Sequence, residues 1–259
     1  MTFLERVVAA RRADAERRRA AGALSLAREA VAAAGDPRDF YAAIEEPGMS
    51  LIGEIKRASP SAGDIVAHAR PARYAQIYEA AGASALSVLT EPDHFKGSLE
   101  DLRAARDAVS IPALRKDFLC DPLHVWEARA CGADAVLLIV AALEQTGLVA
   151  LLDLAETLGL AALVEVHTAD ELDRALRAGA RLVGINTRDL STLKVDPTVV
   201  KAIRPMIPPN VLVVAESGVS KRSEVEALEA LECDGVLIGE ALMRAPDPGQ
   251  KVRELLGIT

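Results

Sequence analysis

Short apolar runs recur eight times along this chain, and each is followed by a longer segment with helical periodicity. Most runs follow a turn signal such as Gly82-Ala83 or Gly132-Ala133. Alternating strands and helices predict a parallel sheet, and eight units favour a closed barrel over an open doubly wound sheet. The eight predicted strands are Ser50–Lys56, Ala83–Thr90, Ile111–Lys116, Ala133–Val140, Ala161–Val166, Leu182–Thr187, Asn210–Ala215 and Cys233–Gly239.

The predicted fold is therefore α/β, a single (β/α)8 TIM barrel in which residues 1–47 form an N-terminal helical extension and residues 48–259 form the barrel. A length of 259 residues suits one domain of this kind. No Gly-rich dinucleotide turn follows the first predicted strand. The predicted helices include Pro71–Ala81, Leu99–Val109, Pro122–Cys131 and Thr168–Ala178.

Charge and composition narrow the partners that we expect. A net charge of −8 argues against nucleic acid, and the longest apolar stretches are shorter than the roughly 20 residues of a membrane span. Cys120, Cys131 and Cys233 lack metal-ligand spacing, so they predict buried thiols and no metal site. Acidic residues interleave with the arginines near the N-terminus, which favours a solvated helix over a transit peptide and predicts a cytoplasmic protein.

Polar residues lie where the predicted strands end, which is the face of a parallel barrel that carries chemistry. Residues two apart on a strand share a face, so Glu54 projects with Lys56 and Asn186 with Arg188. Any one of these residues suits a structural ion pair at the rim, but together they predict a site. The polar residues at strand ends are Glu54, Lys56, Lys116, Glu165, Asn186 and Arg188, and the seventh strand runs into Glu216, which is interpreted as a rim group.

The loops after the seventh and eighth strands predict an anion site. They begin with Ser217-Gly218 and with Gly239, and glycine lets an anion approach the backbone N–H groups closely. A tight turn without a ligand is the alternative for either glycine alone. Glu240 must point away from a bound anion.

At these residues the sequence resembles the indole-3-glycerol-phosphate synthase family, and the match spans essentially the whole chain. The resemblance implies an enzyme, a carboxy-lyase of tryptophan biosynthesis, without cofactor or metal. Its substrate would be the phosphosugar 1-(2-carboxyphenylamino)-1-deoxyribulose 5-phosphate. The motifs that carry it are Glu54-Ile55-Lys56-Arg57-Ala58-Ser59-Pro60-Ser61, Leu89-Thr90-Glu91, Leu114-Arg115-Lys116-Asp117-Phe118, Leu137-Leu138-Ile139, Leu163-Val164-Glu165-Val166-His167, Gly184-Ile185-Asn186-Thr187-Arg188-Asp189-Leu190, Ala215-Glu216-Ser217-Gly218 and Leu237-Ile238-Gly239.

The resemblance also implies catalytic roles. Lys116 would protonate the ketose carbonyl, and Glu165 would stabilise the positive charge formed on ring closure. Glu54 would serve the later proton transfers. Lys56 would orient Glu54, hold the substrate carboxylate or supply the proton for water loss, and these three roles stay open. Asn186 would bind a sugar hydroxyl.

The implied binding residues fall into two groups. Arg188 would hold the rim or the substrate carboxylate, because a guanidinium suits planar oxyanions. Ser59, Ser217, Gly218 and Gly239 would contact the phosphate. The aromatic ring would lie against Pro60, Phe95, Phe118, Leu137 and Leu190. Ordinary packing is the alternative for each of these five apolar residues.

Two departures from the family pattern concern the anion contacts: Ala62 stands where many relatives have a basic residue, and Glu240 where some have Ser. The four histidines, among them His124 and His167, are interpreted as surface or rim residues because no nucleophile motif accompanies them. We expect a monomer without nucleic-acid or membrane partners. Association with other enzymes of tryptophan biosynthesis stays open.

Two other functions compete with this reading. Phosphoribosylanthranilate isomerase, another phosphate-binding barrel, would use a Cys/Asp pair at the first and fourth strand ends, whereas Glu54 and Lys56 end the first strand here. A catalytically silent barrel that binds a phosphosugar would lack Lys116 or Glu165, and both are present.

Overall fold

The computed structural model describes residues 1–189 and 192–258. Within these residues eight parallel strands close into a barrel in which β1 pairs with both β2 and β8. The predicted barrel is confirmed. The strands are β1 Ser50–Ile55, β2 Ala85–Leu89, β3 Ala113–Lys116, β4 Ala135–Ile139, β5 Ala161–Val166, β6 Leu182–Asn186, β7 Leu212–Glu216 and β8 Gly235–Ile238.

Helices follow the strands and cover the barrel. Their capping residues explain several starts: Ser98, Asp121 and Thr168 each accept a hydrogen bond from a backbone N–H in the first turn. The helices of the described residues are α1 Phe3–Ala20, α2 Ala23–Ala32, α3 Phe40–Glu45, α4 Pro71–Ala80, α5 Leu99–Asp107, α6 Pro122–Ala130, α7 Gln145–Thr157, α8 Ala169–Arg177, α9 Thr198–Ile203, α10 Arg222–Glu229, α11 Glu240–Met243 and α12 Pro248–Leu256.

The core is aliphatic and runs from the barrel interior into the layer between strands and helices. Strands β2, β4 and β5 are buried along their whole length because helices cover the outside of the barrel. Among residues 1–189 and 192–258, none of the helices has the length and apolar character that crossing a membrane requires.

Two segments depart from simple strand–helix alternation. The loop after β1 contains a two-stranded antiparallel ladder in which Ala58 pairs with Asp64 and Ser59 with Gly63. The N-terminal extension begins with a capping box between Thr2 and Glu5, and α1 then packs against the barrel. Both segments lie beside the C-terminal mouth, because residues of each line its cleft.

Candidate active site

The C-terminal ends of five strands bring five polar side chains to one mouth. Glu54 comes from β1, Lys116 from β3, Glu165 from β5, Asn186 from β6 and Glu216 from β7. The four residues other than Lys116 are at most 6% exposed. The sequence predicted the convergence of four of these residues, but it interpreted Glu216 as a secondary rim group.

Lys116 lies between two buried carboxylates. Its Nζ is 3.0 Å from Oε2 of Glu165, to which it donates a hydrogen bond, and 3.1 Å from Oε2 of Glu216. The second contact is an ion pair. One buried cation therefore serves two buried carboxyl groups.

This imbalance sets the protonation states of the cluster. Burial disfavours the Lys116 cation, but the carboxylates of Glu165, Glu216 and Glu54 outweigh burial and hold the pKa of Lys116 above its ordinary value. Burial raises the pKa of Glu216 to about 8; the Glu165 charge adds to this rise and the Lys116 cation opposes it. Burial disfavours the Glu165 carboxylate as well, yet Lys116 and His167 hold the pKa of Glu165 below its ordinary value.

Glu54 and Lys56 form a second ion pair at the end of β1. The Nζ of Lys56, the residue that follows β1, lies 2.7 Å from Oε1 of Glu54. A Cβ atom on Gly239 would overlap Oε1 of Glu54 and lie 3.0 Å from that Nζ. Glycine at this position therefore leaves room for the pair.

The cleft has two lobes that share six residues, Glu54, Lys56, Lys116, Arg188, Ser217 and Glu240. We call the first the apolar lobe; its walls include Phe3, Pro60, Leu89, Phe95, Phe118, Leu137 and Ile139. We call the second the polar lobe; its walls include Ser217, Gly218, Ser220, Gly239, Glu240 and Arg244. The empty volume of the first lobe is about 720 Å³ when the open solvent at its mouth is included.

Backbone conformation shapes the polar lobe. Ser217 and Gly218 both have left-handed backbones, with φ of 69° and 78°. Such a conformation is costly for a residue other than glycine, and it is found mainly where a site requires it. Glu240 forms an ion pair of 3.1 Å with Arg244. Its carboxylate is thereby engaged along α11, although Glu240 still borders both lobes.

The structure divides the sequence-predicted binding residues between the lobes. Pro60, Phe95, Phe118 and Leu137 all line the apolar lobe, and Ser217, Gly218 and Gly239 line the polar lobe. Ser59 lines the apolar lobe, where its hydroxyl accepts a hydrogen bond from the N–H of Ala62. Arg188 borders both lobes. Leu190 lies outside the described residues.

The N-terminal extension contributes to the site in a way that the sequence did not reveal. Phe3 lines the apolar lobe and packs edge-on against Phe118. Arg11 donates a hydrogen bond of 2.7 Å to Asp117, which also accepts from Arg115 and Thr90. Asp117 directly follows Lys116, so this buried network links α1 to the strand end that carries the lysine.

One histidine differs from the sequence interpretation, and a second has a notable neighbour. His124 is fully buried beneath the Arg115 cation, and burial lowers its pKa to about 3, so it is neither a surface nor a rim residue. His167 has a side chain only 13% exposed and lies beside Glu165. Among the described residues, no group of three or more His, Cys, Asp or Glu side chains is arranged to hold a metal ion.

A closed barrel whose mouth combines buried acid–base groups with a small-molecule cleft defines a (β/α)8-barrel enzyme. A family model described as indole-3-glycerol phosphate synthase matches residues 4–255. The chain belongs to the indole-3-glycerol phosphate synthase family.

Individual relatives support this assignment. The chain is 51% identical over 255 residues to the indole-3-glycerol phosphate synthase of Mycobacterium avium strain 104, covering 98% of this chain and 94% of the relative. The corresponding protein of Mycobacterium tuberculosis H37Rv is 50% identical at the same coverage. Among solved structures, 3-hexulose-6-phosphate synthase from Salmonella typhimurium shares the fold with a TM-score of 0.64 at 14% identity, covering 81% of this chain and 97% of that one.

Proposed function

We propose that this protein is an indole-3-glycerol phosphate synthase. It converts 1-(2-carboxyphenylamino)-1-deoxyribulose 5-phosphate to indole-3-glycerol phosphate, carbon dioxide and water. The observation that carries the proposal is the two-lobed cleft with Lys116 at its centre, between Glu165 and Glu216. A substrate with an aromatic ring at one end and a phosphate at the other matches an apolar lobe joined to a polar one.

Ring closure begins at Lys116. Its ammonium donates to the ketose carbonyl oxygen, which makes the carbonyl carbon electrophilic for the ring carbon that bears the carboxylate. The raised pKa keeps Lys116 charged, and its fixed position between two buried carboxyl groups aims the donor in advance. The new carbon–carbon bond leaves positive charge on the aniline nitrogen and ring.

Glu165 stabilises that positive charge, because its pKa is held low and it remains a carboxylate. Loss of carbon dioxide restores the neutral ring, and loss of the hydroxyl formed from the ketose oxygen as water completes the indole. Glu54 serves these later proton transfers. Its ion pair with Lys56 supports an orienting role for Lys56, although Lys56 also borders the cleft and is open to the other two roles.

The rest of the cleft positions the substrate. We assign the phosphate to Ser217, Gly218 and Gly239 in the polar lobe, with Ser59 as a further donor from the loop after β1. Asn186 binds a sugar hydroxyl, and Arg188 the substrate carboxylate. The aromatic ring occupies the apolar lobe among Pro60, Phe95, Phe118 and Leu137, which line that lobe, and Leu190 stays a predicted ring contact.

We extend the proposal to the whole chain as one domain, because the extension supplies Phe3 to the cleft. Cofactor, metal, nucleic acid and membrane play no part in the proposed reaction. A monomer suffices, since one chain lines both lobes. The three cysteines are free thiols, which supports a cytoplasmic location. Association with other tryptophan-pathway enzymes is a separate question for co-purification.

Indole fluorescence tests the reaction directly. Purified protein is mixed with 1-(2-carboxyphenylamino)-1-deoxyribulose 5-phosphate in the presence of a chelator, and the product is followed over time. Turnover of the wild type is the expected result. Binding of the substrate without any product would instead favour a silent phosphosugar barrel, and production of this same substrate from phosphoribosylanthranilate would favour the isomerase.

The Glu165→Gln variant tests the assigned role of the carboxylate. The amide keeps the shape but not the charge, so kcat should fall by at least about 10²-fold while KM changes little. Glu156→Gln, the same change at an exposed position of α7, serves as the matched control. A loss confined to KM would contradict the role of Glu165 in the charged intermediate.

A further inference from the structure

His167 lies in the first turn after β5, two residues beyond Glu165, with its ring between two carboxylates. Its Nδ1 is 3.3 Å from Oε2 of Glu171, and its Nε2 is 3.6 Å from Oε1 of Glu165. The His167 side chain is 13% exposed and the Glu165 side chain 1% exposed. A carboxylate, an imidazole and the carboxylate of the active site therefore form a short chain away from bulk water.

Contacts at the start of α8 hold Glu171 in place. It is the third residue of α8, and its N–H donates to the hydroxyl of the capping residue Thr168. The same oxygen of Glu171 that contacts Nδ1 also accepts a hydrogen bond of 2.7 Å from the backbone N–H of His167. The start of α8 thus holds both the backbone and the ring of His167 in one orientation.

At Nε2, on the other side of the ring, a hydrogen bond is missing. Nε2 of His167 and Oε1 of Glu165 are both buried and have no hydrogen-bond partner among the described residues, although they face each other. A small movement brings them within hydrogen-bond distance. A buried polar atom without a partner costs free energy, so a hydrogen bond between these two atoms is favourable.

Only the cationic ring satisfies both carboxylates. A neutral imidazole that donates from Nδ1 to Glu171 presents a lone pair from Nε2 to the Glu165 carboxylate, whereas the imidazolium donates from both nitrogens. Glu216 of β7 adds negative charge on this side where it is ionised, above its pKa of about 8, and Lys116 of β3 lies across the Glu165 carboxylate. Burial lowers the pKa of His167, but Glu171, Glu165 and Glu216 outweigh burial and hold it above its ordinary value.

We propose that His167 is a positioning residue for Glu165. As a cation held by Glu171, it fixes one oxygen of Glu165 while Lys116 fixes the other, so the carboxylate keeps one orientation through the reaction. When the ring loses its proton, this anchor is lost and turnover falls. The inference deepens the proposed synthase activity and rests on it.

The decisive variants change the charge around the ring without removing the ring's space. Glu171→Gln retains an oxygen to accept from the backbone of His167 but removes the negative charge. His167→Gln supplies an N–H that does not titrate. Asp170→Asn makes the same charge change one residue away, on an exposed side chain of the same helical turn, and is the matched control.

The experiment combines pH profiles of kcat and KM, from about pH 6 to about pH 10, with an NMR titration of the His167 ring in the folded protein. In Glu171→Gln the pKa of His167 and the alkaline limb of kcat should move together to lower pH, with KM nearly unchanged. Asp170→Asn should move neither. His167→Gln should keep about a tenth of wild-type kcat and lose that limb, whereas His167→Ala should lose about 100-fold.

The outcomes separate the two proposals. If the wild type turns over its substrate but the alkaline limb is the same in wild type, Glu171→Gln and His167→Gln, the positioning role is wrong and the synthase assignment stands. An NMR pKa for His167 below its ordinary value would also overturn it. If the wild type yields no indole product, the synthase assignment fails and this inference fails with it.

Discussion

Glu216 fills the space that a side chain on Gly184 would need. The two residues lie on the adjacent strands β6 and β7, and a Cβ atom on residue 184 would overlap Oε1 of Glu216. Glycine within a strand normally weakens it. Here it admits a buried carboxylate that reaches to 3.1 Å from Nζ of Lys116.

Replacing Gly184 by alanine should therefore displace Glu216 from Lys116. We expect Gly184→Ala to lower kcat on the order of 10²-fold, because small misplacements of reacting groups are costly, and to destabilise by about 1–3 kcal/mol. Steady-state kinetics and urea unfolding measure the two effects. Gly147→Ala is the control: a Cβ atom there meets nothing within 4 Å, and alanine in α7 should stabilise by about 0.5–1 kcal/mol. Equal behaviour of the two variants would contradict the packing argument.

The raised pKa of Glu216 predicts a pH-dependent stability. The pKa of Glu216 is about 8 in the folded protein and 4.5 in the unfolded chain. Between these pH values the folded state binds the extra proton, so the contribution of Glu216 to stability falls as pH rises from 4.5 to about 8. Glu216→Gln removes this penalty. Its Tm should exceed that of the wild type at about pH 8, and the difference should shrink towards about pH 5. A constant difference across this range would argue against the shift.

Removing the cation has the opposite effect. Lys116→Met leaves Glu165 and Glu216 buried without a counter-charge, so we expect a loss of about 3–5 kcal/mol at about pH 8 and a smaller loss at about pH 5, where the carboxyl groups can take up protons. Turnover should fall by at least about 10²-fold. Thermal melts at both pH values provide the check, with Lys201→Met at an exposed position of α9 as the control. A variant with full activity would remove Lys116 from the mechanism.

The link between α1 and β3 can be tested at Arg11. Arg11→Leu removes one charged donor to Asp117, while Arg115 and Thr90 still donate to this carboxylate. We therefore expect the free energy of unfolding to fall by about 1–3 kcal/mol and kcat to decrease. Arg17→Leu removes an ion pair of the same length on the same helix, but its side chain is 73% exposed. That control should change stability by less than about 0.5 kcal/mol. Loss of stability without any change in turnover would limit the network to a structural role.

The sequence predicted the barrel well, because short apolar runs and helical patterns are local and repeat eight times. The predicted fifth strand, Ala161–Val166, has the bounds found in the structure. The predicted seventh strand ended at Ala215, whereas β7 extends to Glu216. Because the predicted strand stopped one residue early, Glu216 was placed in a loop instead of on the strand end beside Lys116. The importance of Glu216 was therefore missed.

Other features of the site depend on contacts that local patterns do not encode. Arg11 and Asp117 are 106 positions apart, and nothing near Arg11 in sequence distinguishes it from its exposed neighbours. Lys116 and Glu165 were recognisable because both lie at strand ends. The burial of His124 beneath Arg115 and the contact of His167 with Glu165 arise only when helices pack against the barrel.

The closure of the barrel has a consequence for how the chain folds. Each strand from β2 to β7 pairs only with its neighbours in sequence, but β1 must also pair with β8, joining Ser50 to Gly235. During synthesis one edge of β1 therefore stays unpaired until most of the chain has left the ribosome. An unpaired strand edge can form hydrogen bonds with other chains. Chains truncated before β8 should aggregate rather than form a smaller barrel, and closing this one seam sets a limit on the folding rate.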